Sequence, residues 1–246
     1  MDLQQLCEQG QQQLMEMKYL RAEKTLMQAE QLAIAQKDFD SLSRLYMPLQ
    51  EARRQRRQRC GEGIVCLDLI ADAPGTRLDP ELIIKEFPHG QVLVAGWGTV
   101  EPALKLRQLQ TERGLYVETF LAAVYPAGSG RAVVIVPTPD VKLPDPSPRS
   151  IDQLLRLLPA HSIVIGDAEI PARPHRGNTE TFARVMSIWE RLHLPFLAAA
   201  EACTNSLQRI TVYRQTIEVD YACELAHQNL SAAAAQIARA RLQSTR

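Results

Sequence analysis

Asp167 and Glu169 stand two apart where the apolar run Ser162 to Gly166 ends, and Arg173, His175 and Arg176 follow before a helix start at Asn178. Alternate residues at a strand end can point the same way, so the two carboxylates could chelate a divalent ion such as Mg²⁺ or act as acid and base. They could equally be solvated charges at a strand terminus. Basic residues ahead of a helix start meet the positive end of its dipole and its free N–H groups, which makes Arg173, His175, Arg176 and Asn178 a candidate site for phosphate or carboxylate. Gly96, Gly98 and Thr99, in Gly96-Trp97-Gly98-Thr99 ahead of another helix, could offer backbone N–H groups to an anion in the same way. That run lacks the third glycine of the dinucleotide fingerprint and the Lys-Ser/Thr of the phosphate loop, and a tight turn is its plainer purpose.

Other chemistry finds less support. Ser129 lies in a Gly-Ser-Gly hairpin rather than in a strand-to-helix elbow, and no His-Glu-x-x-His occurs. Cys223 and His227, four apart on a helix, could share a metal, but with no further ligand nearby in sequence they read as part of a helix interface, and no metal site is assigned. The five cysteines are odd in number and form no Cys-x-x-Cys pair, which fits a reducing compartment. Zero formal net charge argues against a surface built for nucleic acid or anionic membrane. With neither a leader-like N-terminus nor an apolar run of roughly 18 residues, the chain reads as soluble and cytoplasmic.

The elements that must hold these residues begin at Gly63. The spacing predicts a strand at 64–71, a short helix capped by Asp79, a strand at 91–95, a helix from Val100 that closes at Gly114, and a hairpin of strands 115–125 and 131–137. A proline-rich connection follows, then a helix announced by the capping box Ser150 to Gln153 with Ile151, Leu154, Leu155 and Leu158 as its buried stripe. A fifth strand, 162–166, completes a mixed sheet of about five strands covered by helices, an α/β fold. In such sheets ligands bind beyond the carboxyl ends of the strands, where Gly96 to Thr99 and Asp167 to Glu169 are expected.

Two antiparallel helices are expected over residues 3–35, with Leu3, Leu6, Gly10, Leu14 and Met17 on one apolar face and Leu20, Leu26, Met27, Ala29 and Ile34 among those on the other helix. Leu6, Gly10, Ala22, Leu26 and Ala29, with Tyr19 near the turn, resemble one tetratricopeptide repeat. Gln13 replaces the usual aromatic and Ile34 the usual proline. The resemblance implies a protein-binding helical hairpin that other helices must cover, because such a repeat cannot bury its own face. A third helix, about 41–59, ends in arginines 53, 54, 56, 57 and 59, read as a solvated helix end capped by Gly61 or as a patch for phosphate or an acidic partner. The C-terminal part should be helical, restarting at Pro195 with 196–203 fully packed, then running from Asn205 to about Gln243 with a break near Asn229.

Three segments result: a repeat-like 1–60, an α/β domain 61–170, and helices 171–246 that join the N-terminal ones in a shared layer. The function expected is that of an interaction or scaffold protein with a protein partner. The alternative is an enzyme or sensor that takes a phosphorylated or carboxylated small molecule near Asp167, Glu169 and Arg176.

Overall fold

The computed structural model describes residues 1–128, 130–147, 149–166 and 175–244. In order, the chain forms α1 (Leu3–Met15), α2 (Tyr19–Gln36), α3 (Phe39–Glu62), β1 (Ile64–Ile70), α4 (Pro80–Glu86), β2 (Gly90–Trp97), α5 (Glu101–Arg113), β3 (Val117–Thr119), β4 (Leu121–Ala127) and β5 (Gly130–Val136). It continues with α6 (Ile151–Leu157), β6 (Ile163–Gly166), β7 (His175–Arg176), α7 (Thr179–Ala202), α8 (Ser206–Val219) and α9 (Glu224–Ser244). Two compact units result, one made of Met1–Arg57 and His193–Arg246, the other of Gln58–Leu192. No helix among the described residues is long and apolar enough to cross a membrane.

In the helical unit, Asp2 and Gln5 form a reciprocal capping box that starts α1. Gly10 lets α2 approach: a β-carbon there would lie 2.6 Å from Leu26, which is fully buried. The predicted apolar face stops short of Met17, which sits at φ 58° in the left-handed turn between the helices and is exposed. Met27 is exposed as well. The N- and C-terminal helices form one layer, as the pattern implied: Leu6, Leu26, Leu42, Leu45 and Leu49 share a core with Leu197, Ile210, Ile217, Ala226 and Leu230. Ser231 Oγ donates to the Ser43 carbonyl at 2.6 Å and ties α9 to α3.

Three expectations for the helices need correction. Helix α7 runs on through Pro195 rather than restarting there, and in the stretch 196–203 only Leu197 and Ala200 are buried. The long C-terminal segment breaks at Asp220–Cys223, not near Asn229, because the Asp220 carboxylate accepts the Ala222 N–H at 3.1 Å and holds a turn there. Gly61 does not cap α3. It lies inside the helix and lets Phe182 pack against it.

The sheet has the order β6-β5-β4-β2-β1-β7, with β3 also on β2. Strands β1 and β2 run parallel around α4, and β2 and β4 parallel around α5, while β4, β5 and β6 are antiparallel neighbours. The predicted strand 115–125 keeps one register on β2, from Gly90↔Val117 to Trp97↔Val124, but is interrupted at Phe120. Phe120 stacks on Trp189 of α7 with ring centroids 4.4 Å apart. Helices α4 and α5, with Leu154 of α6, cover the face that carries Val92, Val94, Leu121 and Val134. Of the predicted α6 stripe only Leu154 is buried; Ile151 and Leu155 are exposed.

Candidate functional site

Asp167, Glu169 and Arg173 lie outside the described residues. His175 and Arg176 form the short strand β7, paired antiparallel with Val65 and Ile64 at the start of β1. The next N–H, that of Gly177, donates to Gly63 at 2.7 Å, and Asn178 Oδ1 caps α7 by accepting the Thr181 N–H at 3.0 Å. Glu180 places a carboxylate in the first turn of that helix. Gly96, Gly98 and Thr99 lie at the other end of the parallel β1–β2 pair, so the sheet separates them from His175, Arg176 and Asn178 by the length of a strand, roughly 20 Å. At φ 65°, Gly98 turns its N–H to the Val124 carbonyl at 3.0 Å, while Thr99 Oγ1 accepts the Glu101 N–H and Pro146 packs over the Gly98 α-carbon. The described candidates therefore form two separate places, and the Gly98 and Glu101 N–H groups are already taken, one by strand β4 and one by Thr99.

The polar residues that do converge lie in the helical unit. On α3, Tyr46, Gln50, Arg53 and Arg57 recur at three- and four-residue spacing, which puts them on one helical face. The arginine run is thus neither a wholly solvated end nor an open patch: Arg53 and Arg57 are 5% and 3% exposed, whereas Arg54 and Arg59 pair at the surface with Glu51 and Glu62. Arg53 Nε and Arg56 donate to the Glu23 carboxylate at 3.1 and 2.9 Å. Burial would raise the Glu23 carboxyl, but the charges of Arg56 and Arg53 prevail and hold it below its ordinary value. Glu30, one helical stripe further along α2, accepts from Tyr46 Oη at 2.9 Å and from Arg214 Nε at 3.2 Å.

At the other end of the same face, Arg57 reaches the Asp220 carboxylate at 2.7 Å, and His193 Nδ1 meets its second oxygen at 2.6 Å. Asp220 is wholly buried. Desolvation alone would raise its pKa, yet Arg57 and then His193 pull it well below the usual carboxylate range. His193 responds in the opposite sense: burial opposes its charge, but the hydrogen bonds with Asp220 and Cys223 raise it to about 9. It is an imidazolium at neutral pH and its Nδ1–H donates to Asp220.

His227 is held neutral, lowered to about 4 by burial and by the charge of Arg53. Its Nδ1 lies 2.8 Å from the Cys223 carbonyl and must donate, which leaves Nε2 to accept from Arg53 at 3.1 Å. Cys223 and His227 are therefore buried as neighbours but share no ligand position. The Cys223 sulfur instead joins His193 and Asp220: one ligand atom from each lies within 4.8 Å of the other two. Over the same turn, Arg56 and Arg57 stack on the Tyr221 ring at 4.3 and 4.7 Å.

No protein-family model, curated protein or solved structure matches this chain.

His193 and Asp220 were not singled out by the spacing, because 26 residues separate them and they meet only when α7 packs beside the α8–α9 turn. The nearest signal is that Asp220 stands three before Cys223, a spacing that brings two ligand types together once the helix breaks there, and that break is not evident in the sequence.

Proposed function

We propose that the chain is an interaction or scaffold protein whose repeat-like helices dock a segment of a protein partner. One observation carries this reading: five of the six methionines lie between Met1 and Met47, and all five are exposed, with Met15 at 71% and Met17 at 66%. Exposed methionines are costly to leave bare and suit binding, since an unbranched, polarizable thioether adapts to varied apolar partners. The occupant that fits is the apolar face of an amphipathic helix.

Fluorescence anisotropy with a panel of amphipathic helical peptides tests this. At least one peptide should saturate, and M15Q/M17Q and M47Q variants should bind it at least fivefold more weakly with unaltered thermal stability. Saturation by no peptide, or equal affinity in the variants, would remove the proposal. The rival assignment, a sensor or enzyme for a phosphorylated or carboxylated molecule near Asp167, Glu169 and Arg176, draws support from the exposed Arg176 ahead of α7. Calorimetry with inorganic phosphate, with and without Mg²⁺, separates the two.

A further inference from the structure

We infer that His193, Asp220 and Cys223 form a binding site for one Zn²⁺ ion, which pins the α8–α9 turn to α7. Three donors of the types zinc prefers, imidazole nitrogen, thiolate sulfur and carboxylate oxygen, already lie within 4.8 Å of one another. Two of them come from one turn. Asp220 ends α8 and Cys223 precedes α9, and the Cys223 N–H donates to the Asp220 carbonyl at 3.0 Å, so the backbone itself brings the side chains together. The sulfur excludes Mg²⁺ and Ca²⁺ as fitting ions, because both take oxygen ligands.

The surroundings orient the donors as metal sites require. Asp220 Oδ1 is held by Arg57 at 2.7 Å and by the Ala222 N–H at 3.1 Å, which leaves Oδ2 toward His193. His227, through its 2.8 Å bond to the Cys223 carbonyl, fixes the backbone beneath the sulfur without entering the site. Asp220 and Cys223 are buried, whereas the His193 side chain keeps 13% of its surface exposed and marks the side from which an ion enters. Bonds of about 2.0 Å in a tetrahedron require nitrogen and oxygen roughly 3.3 Å apart, so the His193 ring must swing outward from its 2.6 Å contact. On binding, three metal–ligand bonds form and the Asp220–His193 hydrogen bond breaks. As these atoms become ligands, His193 Nδ1 gives up the proton it shares with Asp220 and the Cys223 sulfur binds as thiolate, the displaced protons passing to solvent. Three protein ligands leave a fourth position for water.

Titration of the chelator-treated full chain with Co²⁺, followed by displacement with Zn²⁺, tests the site. One equivalent of Co²⁺ should give a thiolate-to-cobalt charge-transfer band that Zn²⁺ abolishes. The band should vanish in Cys223→Ser and persist in Cys203→Ser. The same titration of His193→Gln should show at least tenfold weaker binding. If Cys223→Ser fails to fold by circular dichroism, the His193→Gln comparison decides alone. Absence of the band in the unaltered chain, its survival in folded Cys223→Ser, or unchanged affinity in His193→Gln would overturn the inference.

Discussion

Replacing Asp220 by Asn keeps the shape of the side chain and removes its charge, and the structure specifies what is left behind. Asp220 forms an ion pair with Arg57 at 2.7 Å and accepts from His193 at 2.6 Å and from the Ala222 N–H at 3.1 Å. The backbone bond can survive in Asn, whose carbonyl oxygen also accepts. His193 can shed its proton once the carboxylate is gone, so its share of the penalty is relieved. Arg57 cannot, because a guanidinium does not deprotonate, and at 3% exposure it has little water to turn to. The cost on the arginine side therefore dominates, and loss of one partner of such a buried pair costs about 3–5 kcal/mol. With a urea dependence of about 2 kcal/mol per molar, the midpoint followed by helical circular dichroism should fall by roughly 2 M. The double variant R57M/D220N should recover much of this, since it removes both charges of the pair together. A fall of less than about 1 kcal/mol in the single variant, or no recovery in the double, would refute the view that this pair organises the helical unit.

Three further outcomes are expected. In metal-free protein, His227 has a folded pKa of about 4 against about 6.5 unfolded, so the unfolded chain binds the extra proton between these values. Its contribution, about 3 kcal/mol, is complete above pH 6.5 and lost as pH falls to 4; urea midpoints across that window should decline, and His227→Gln should flatten the slope. His193, raised to about 9, contributes in the other direction: its stabilisation is complete below pH 6.5 and fades as pH rises through 9, so midpoints should also fall on the alkaline side, less so in His193→Gln. Gly177→Ala should destabilise the α/β unit by about 3 kcal/mol or more by thermal unfolding, because a β-carbon there collides with the Gly61 carbonyl and would break the 2.7 Å bond to Gly63; unchanged melting would contradict the pairing of β7 with β1.

The sequence by itself determined most of the elements, because the signals are local. Asp79 before Pro80, Ser150 with Gln153, and Gly114 in the left-handed conformation each end or start a helix through bonds within four residues. Period-two and unbroken apolar runs likewise declared β1, β2 and β5. Local rules failed where packing overrides them: Pro195 sits inside α7, and Gly61, a cap by composition, is a point of close approach to Phe182. The tertiary structure alone decided the fate of the arginines, since Arg53 and Arg57 have the same local sequence context as the exposed Arg54 and Arg59 and differ only in the face of α3 they occupy. It alone also joined His193 to Asp220 and Cys223. Side chains 27 and 30 positions apart carry no mutual signature in a linear pattern, and their meeting depends on how α7 lies against the α8–α9 turn.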